Sequence, residues 1–213
     1  MEQYNIAEVN EAVAAANPDR AAIITADRTI TYAELTARTR RFANALHQRG
    51  FGAHTERAQL PGHESGQDHL AIYLHNGPEY IESMLGAFKA RVAPFNVNYR
   101  YVAEELRYLL DNAKARIVVY HDAFAPTLAE VLADLPDIAL LVQVPDDSGN
   151  DLLPGAIRYD DLLAEGSEDP VPVQLSPDDL YILYTGGTTG MPKGVLWRQH
   201  DIFISAMGGR PFG

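Results

Sequence analysis

The residues with the clearest chemical potential lie in one short loop near the end of the 213-residue sequence. The stretch from Leu183 to Trp197 is LYTGGTTGMPKGVLW, a polar, glycine-rich loop between two apolar runs. Glycines let backbone N–H groups converge on an anion without a Cβ in the way. Threonine hydroxyls can bond phosphate oxygens or a hydrated Mg²⁺, and a lysine adds a compact positive charge. The candidate phosphate-binding residues are Thr185, Gly186, Gly187, Thr188, Thr189, Gly190 and Lys193.

Two common phosphate loops do not match this stretch. The Walker A loop needs G-x-x-x-x-G-K-[ST] running into a helix, whereas Gly194 follows Lys193 and Pro192 disfavours helix at Met191. The Rossmann pattern G-x-G-x-x-G is absent because the glycines have the wrong spacing. We therefore predict a strand, a loop and a second strand. On composition alone, phosphate binding and an ordinary hairpin loop both stay open.

The overall composition limits the partners that the chain can have. Hydrophobic residues make up 46% and charged residues 22% of the sequence, which is typical of globular proteins. The net charge of −12 would repel a nucleic acid, so an anionic ligand must be held locally. The lack of cysteine excludes disulfides, thiolate metal sites and a cysteine nucleophile. No apolar run approaches the ~18 residues of a membrane span, and the amino terminus does not resemble a secretory signal, so we expect a cytoplasmic protein.

The middle of the chain alternates short apolar segments with segments of helical periodicity. Because such alternation calls for crossover connections, it predicts an α/β fold with a mostly parallel sheet and helices on both faces. The predicted strands are 70–74, 92–97, 117–120 and 138–144, and the predicted helices begin at Pro78 and cover 104–112 and 124–135.

A helical lead-in and several irregular segments complete the predicted organisation. A helix at 5–16 and a hairpin at 21–31 precede a helix over 32–49, which Thr31 and Glu34 begin as a capping box. The segments are a lead-in at 1–50, a polar loop at 51–69, the βα repeat at 70–145, an irregular connection at 146–179 with a short helix at 159–164, and the strand–loop–strand element at 180–213.

The polar loop at 51–69 carries three histidines, His54, His63 and His69, with Glu64 and Asp68 between them. Imidazole and carboxylate groups are zinc ligands, so a metal site is one interpretation. The spacings fit no compact metal motif, and a solvated surface loop is the interpretation that we favour.

The glycine loop resembles the signature of the adenylate-forming superfamily, which contains acyl-CoA synthetases, nonribosomal adenylation domains and luciferases. Residues 184–194, YTGGTTGMPKG, match the usual Y-T-S-G-T-T-G-x-P-K-G except that Gly186 replaces the common serine. Upstream, LGAFKARVAP at 85–94 resembles L-G-A-x-K-A-G-x-x-x-P, with Arg91 where glycine is common, and TYAEL at 31–35 resembles T-Y-x-E-L. The resemblance covers nearly the whole chain apart from the 51–69 loop.

The resemblance implies a two-step ligase that uses ATP, Mg²⁺ and CoA. A carboxylate attacks the α-phosphate of ATP to give an acyl-adenylate and pyrophosphate, and the CoA thiol then displaces AMP. The loop amides and Lys193 would hold the β- and γ-phosphates, and Thr185 would contact Mg²⁺. The segment Trp197, Arg198 and Gln199 resembles a branch of bacterial acyl-CoA ligases that act on fatty or steroid side-chain acids.

The family's later motifs and its small C-terminal domain have no counterpart in these 213 residues. We therefore expect the amino-terminal portion of the large domain, inactive as a ligase on its own. We also expect 180–184 and 195–197 to need strands that this chain lacks, and hence self-association through the exposed sheet edge. The alternatives are a non-catalytic remnant or binding module of a shortened gene, and a fragment of a fatty-acyl-AMP ligase or peptide-synthetase adenylation domain.

Overall fold

The computed structural model describes residues 3–185 and 191–209. The helices within these ranges are α1 Ile6–Ala16, α2 Tyr32–Gln48, α3 Pro78–Lys89, α4 Ala103–Asn112, α5 Ala125–Val131, α6 Tyr159–Glu165 and α7 Gln199–Ala206. The strands are β1 Ala21–Ile24, β2 Thr29–Thr31, β3 His69–Tyr73, β4 Ala93–Asn96, β5 Ala115–His121, β6 Leu140–Val144, β7 Ile157–Arg158, β8 Leu180–Thr185 and β9 Lys193–Arg198.

The predicted mostly parallel sheet is confirmed. Seven strands lie in the order β7-β6-β5-β3-β4-β8-β9. Each neighbouring pair is parallel except β8 and β9, which are antiparallel. Strands β1 and β2 form the predicted hairpin, which is a separate two-stranded sheet.

Helices cover both faces of the sheet, as the apolar strands require. Val118 and Tyr120 of β5 belong to a core with residues of α4 and α5. Ile117 and Val119 of the same strand belong to the opposite core, with residues of α2, α3 and α6. This alternation follows the period of two along a strand.

The lead-in helix α2 begins where the sequence predicts. The Thr31 hydroxyl accepts a hydrogen bond from the Glu34 backbone N–H at 3.2 Å, and the Glu34 carboxylate accepts one from the Thr31 N–H at 2.7 Å. Each end of the capping box therefore satisfies a backbone donor of the first helical turn.

Two parts of the fold differ from the sequence prediction. The predicted helix at 124–135 is a short α-helix between two 3₁₀ turns, at Asp122–Phe124 and Leu132–Asp134. Pro126 lies in the first turn of α5, where its missing N–H costs no hydrogen bond, so the helix begins there. Strand β7 and helix α7 were not predicted, because β7 has only two residues and both depend on neighbouring elements for their packing.

The expectation that both strands beside the glycine loop need partners outside the chain is wrong for β8. Strand β8 pairs with β4 on one side and with β9 on the other. Strand β9 is the last strand of the sheet in the described ranges, and its outer edge has no strand partner there. Within those ranges, no helix combines the length and apolarity needed to cross a bilayer.

Candidate functional site

The predicted strand–loop–strand element is confirmed for its two strands. Strands β8 and β9 pair from Leu180 opposite Arg198 to Thr185 opposite Lys193. Thr185 and Lys193 thus face each other where the loop leaves and rejoins the sheet. The other five predicted phosphate ligands, from Gly186 to Gly190, lie outside the described residues, so their role stays a prediction.

The loop leaves the sheet at the edge where α/β proteins bind ligands. Strand β8 runs parallel to β4, which runs parallel to β3, so the carboxyl ends of these three strands lie at the same edge. Ligands of open α/β sheets bind outside these carboxyl ends. Thr185 is the last residue of β8 and therefore lies at this edge.

The side chain of Lys193 is available to bind an anion. Its side chain is exposed and makes no ion pair within the described part of the chain. Lys89, in contrast, is only 4% exposed, pairs with Glu11, and donates a hydrogen bond to the Thr39 hydroxyl at 2.9 Å. The sequence singles out Lys193 by its place in the glycine loop, and of these two lysines Lys193 is the one with an exposed charge at the carboxyl edge.

Gly194 and Tyr184 form the base of the loop. A Cβ on Gly194 would lie 2.8 Å from Cζ of the Tyr184 ring, closer than real side chains pack. Glycine is therefore required where β9 crosses this ring. Burial, with a smaller contribution from Tyr108, raises the pKa of Tyr184 to about 12, so its hydroxyl stays a neutral hydrogen-bond donor at physiological pH.

Thr185 alone does not make a magnesium site. Mg²⁺ takes six oxygen ligands in an octahedral arrangement, and phosphate oxygens and water usually supply several of them. Among the described residues no cluster of three or more acidic or histidine side chains is placed to hold a metal. The exposed Thr185 hydroxyl therefore fits a Mg²⁺ ion that a bound phosphate brings with it.

A crevice beside the loop was missed by sequence reasoning. It has a volume of about 380 Å³ and lies at the carboxyl ends of β3 and β4, with Tyr184 on one side. Burial is the main cause that raises the pKa of its Tyr80 to about 12. Its polar lining consists of neutral side chains, namely Asn76, Tyr80, Asn96, Asn98, Tyr99, Tyr101 and Tyr184. The available signal was that an asparagine lies within three residues after each of strands β3 and β4, namely Asn76 and Asn98.

A larger cleft is a separate feature. It has a volume of about 470 Å³ and lies between the segment around Glu64 and the strands β8 and β9. His69 and Lys114 in its lining lie at the amino ends of β3 and β5, whereas Tyr184 and Gly194 in the same lining lie at the base of the glycine loop. The cleft therefore reaches from the amino edge of the sheet to the base of the loop.

The histidines of the 51–69 loop are not brought together. His54 Nε2 lies 2.7 Å from the Asp68 carboxylate, and His63 is largely exposed. His69 is the first residue of β3, and its Nδ1 donates to the Ala113 carbonyl. Burial lowers the pKa of His69, so the ring is neutral in the fold near pH 7. Among the described residues, these side chains form no group of three or more that could hold a metal ion.

The same loop is attached to the strand that leads to the candidate site. The Gln67 side chain accepts a hydrogen bond from the Leu180 N–H and donates one to the Arg91 carbonyl, both at 2.7 Å. Arg91 pairs at 2.8 Å with Glu56 of the loop and with Asp179, which is 3% exposed. The loop is therefore a solvated surface segment that is fixed at its base.

Comparison with known proteins identifies the family. The model of the AMP-binding enzyme family matches residues 10–211. The chain belongs to the AMP-binding enzymes. The positive φ of Arg91, 58°, explains why glycine is common at this position in the resembling motif, since glycine adopts such a conformation without strain.

The curated relatives of this AMP-binding protein are longer CoA ligases. It is 58% identical over 207 residues to the medium-chain acyl-CoA ligase Mig of Mycobacterium avium, covering 97% of this chain and 38% of that protein. It is 37% identical over 209 residues to the 3-oxocholest-4-en-26-oate–CoA ligase of Rhodococcus rhodochrous, covering 98% and 35%. The chain thus spans little more than a third of the relatives that it matches.

Solved structures show the same fold. An anthranilate CoA ligase in complex with anthranoyl-AMP superimposes with a TM-score of 0.81 at 22% identity, covering 96% of this chain and 36% of that one. A fatty acyl CoA synthetase of Mycobacterium tuberculosis gives 0.73 at 22% identity, covering 93% and 35%. The α/β architecture expected from the sequence is therefore that of the amino-terminal region of acyl-CoA ligases.

Proposed function

We propose that this chain is the amino-terminal part of an AMP-forming acid–thiol ligase that activates a medium- or long-chain fatty acid with ATP and CoA. The observation that carries the proposal is the β8–β9 pair, whose Thr185 and Lys193 meet at the carboxyl edge of the sheet, with Lys193 exposed and making no ion pair among the described residues. The 58% identity to a medium-chain acyl-CoA ligase favours a fatty acid over the steroid acid of the relatives that are 36–38% identical.

In the proposed reaction the acid first becomes an acyl-adenylate. A carboxylate oxygen attacks the α-phosphorus of ATP, and the bond to pyrophosphate breaks. The thiolate of CoA then attacks the acyl carbon, and AMP leaves. In this chain, Lys193 and the backbone amides of 186–190 would bind the β- and γ-phosphates and stabilise the negative charge that develops on pyrophosphate. Thr185 would add a hydroxyl to the Mg²⁺ that accompanies the nucleotide.

We propose that ligation needs segments that lie beyond this chain. Residues 1–213 would form the first part of a large N-terminal domain, divided as the sequence predicts. The coverage of its relatives, 35–38%, supports this assignment. The isolated 213 residues would then bind phosphate but would not form an acyl-CoA. The alternative hypothesis of a non-catalytic binding module predicts the same two results for the isolated chain. A cytoplasmic location stays a prediction.

Self-association of the isolated chain follows from its exposed strand edge. Among residues 3–185 and 191–209 no strand pairs with the outer edge of β9, and Val195 is 43% exposed. Such edges pair readily with other strands. Sedimentation at working concentration should therefore show dimers or larger species, and a clean monomer would contradict this part of the proposal.

The deciding experiment uses the native protein. An antibody against this chain would recover it from its source cells, and its intact mass would be measured beside its activity. Octanoate, palmitate and a steroid side-chain acid would be tested for acid-dependent AMP and acyl-CoA formation. Formation of both products with a fatty acid supports the proposal, whereas no AMP with any acid overturns it. A recovered mass near 23.4 kDa together with activity would overturn the requirement for further segments.

A further inference from the structure

Helix α4 contacts both strands that carry the glycine loop. The Tyr184 hydroxyl on β8 donates a hydrogen bond to Oδ1 of Asn112 at 2.8 Å. The Tyr108 hydroxyl donates one to the carbonyl of Pro192, directly before β9, at 3.3 Å. Tyr108 and Asn112 are four residues apart, so they lie on the same face of α4. One helix face is thus bonded to the chain on both sides of the loop.

The strand ends receive little other support. Strand β8 pairs with β4 through Phe95 opposite Ile182 alone, so its last three residues have only β9 as a strand partner in the described ranges, although the Tyr184 ring centroid lies 5.7 Å from that of Phe95. Met191 is 44% exposed, and Thr185 and Lys193 are also exposed. A two-stranded ribbon is marginally stable without further packing. The hydrogen bonds from α4 therefore help to hold in place the ends of β8 and β9, where the loop begins and ends.

Helix α4 is itself a firm support. Its Leu106, Leu109 and Leu110 are at most 1% exposed and belong to the core beneath the sheet. At its amino end, the Glu105 carboxylate accepts a hydrogen bond from the Val102 N–H at 3.1 Å. Since the opposite face of α4 is packed in the core, Tyr108 and Asn112 are themselves held in place. Their hydrogen bonds can therefore restrict the movement of the ends of β8 and β9.

We propose that Tyr108 and Asn112 are positioning residues that hold the two ends of the phosphate loop at a fixed separation and orientation. This inference rests on the proposed function, because it assigns the loop to phosphate. Thr185 and Lys193, at the ends of β8 and β9, lose less conformational freedom on binding an anion if they are already held in place. The two side chains thus raise affinity for the polyphosphate without touching it.

The test uses the 213-residue chain and two measurements. The first is amide hydrogen exchange at Thr185, Lys193 and Gly194, and the second is the affinity for inorganic pyrophosphate with Mg²⁺. Tyr108→Phe and Asn112→Leu each remove one of the bonds. Each should speed exchange and weaken pyrophosphate binding by about three- to tenfold, the usual worth of one hydrogen bond.

Two variants serve as controls. Asn112→Asp keeps an acceptor oxygen for Tyr184 and should restore the slow exchange, which a general loss of helix stability would not do. Tyr32→Phe removes a hydroxyl on α2 that makes no hydrogen bond within the described residues, and it should leave both measurements unchanged.

The outcomes separate this inference from the proposed function. If the unmodified chain does not bind pyrophosphate, the phosphate assignment fails, and hydrogen exchange alone decides whether α4 holds the strand ends. Unchanged exchange in Tyr108→Phe and Asn112→Leu would overturn the inference. Faster exchange with unchanged pyrophosphate affinity would also overturn it, because the two residues would then be structural only.

Discussion

The interior strands of this sheet and the strand at its β9 edge differ in burial. In β6 each of the five residues is buried, and in β3 four of five are buried. In β9 three residues are exposed and the other three are partly exposed. Both regions are apolar enough to form strands, but helices cover the first on both faces, whereas the second ends at an open edge.

Because of this difference, we expect the buried strands to determine stability and the exposed strand pair to bind the ligand. Burial of apolar area contributes most of the folding free energy, so the central strands should dominate stability. The β8–β9 ribbon contributes less and carries the exposed groups that a polyphosphate needs. Regions that bind ligands are commonly drawn from the less stable parts of a fold. The following predictions test this division of roles.

The largest expected effect is on stability, from truncation of a side chain in the buried part of the sheet. Phe95 of β4 is fully buried. Phe95→Ala should lower the free energy of unfolding by about 3–5 kcal/mol, through lost burial and the cavity that remains. Val195→Ala on the exposed strand β9 is the control, with an expected change of at most about 0.5 kcal/mol. Urea unfolding measures both, and similar losses would contradict the comparison.

Charge removal at the ribbon should give the opposite pattern. Lys193→Met should weaken pyrophosphate binding by roughly ten- to a hundredfold, the worth of a hydrogen bond to a charged group. Its stability should hardly change, since Lys193 makes no ion pair in the described ranges. Lys114→Met is the matched control, because Lys114 is also exposed but precedes β5 at the other edge of the sheet. Equal losses in both variants would mean that net charge, rather than position, governs binding.

The central sheet and the lead-in helix could be predicted because their signals are local. Thr31 and Glu34 indicate where α2 begins, and the alternation of apolar strands and helices indicates the fold class. The glycine loop was predicted as a strand–loop–strand element because Pro192 and Gly194 exclude a helix after Lys193. These signals need only neighbouring residues, so a single sequence carries them.

The missing parts depend on distant contacts. Strand β7 has two residues and exists because β6 lies beside it. The bonds from Tyr108 to Pro192 and from Asn112 to Tyr184 join residues that are 84 and 72 positions apart. The crevice of asparagines and tyrosines forms only when strand ends from different segments meet at one edge. No local sequence pattern predicts such contacts.

A smaller effect should follow from crowding at the base of the loop. Gly194→Ala places a Cβ against the Tyr184 ring, and it should destabilise the chain by about 1–3 kcal/mol, the usual cost of overpacking. Gly62→Ala is the control, because its Cβ would meet nothing within 4 Å. Faster hydrogen exchange confined to β8 and β9 would show that the strain stays in the ribbon. A loss of protection throughout β3 and β5 would mean that the ribbon and the central sheet unfold together.

The smallest expected effect is a dependence of stability on alkaline pH. Burial, as the largest cause, raises the pKa of Tyr184 from its ordinary value of 10.0 to about 12. Between these values the unfolded chain releases the phenolic proton while the folded chain keeps it, so stability present below pH 10 is lost as pH rises towards 12. Tyr73 and Tyr80 shift in the same direction, so the contribution of Tyr184 must be obtained as a difference.

Tyr184→Phe isolates that contribution. The variant loses the bond to Asn112 at every pH, which lowers the whole stability curve, but it should fall less steeply than the unmodified chain between pH 10 and 12. The slope, rather than the offset, reports the titration of Tyr184. Identical slopes would mean that the Tyr184 hydroxyl ionises as easily in the fold as in the unfolded chain. The ribbon would then be open to water at its base, and the boundary between the buried sheet and the exposed binding element would lie before Tyr184 instead of after it.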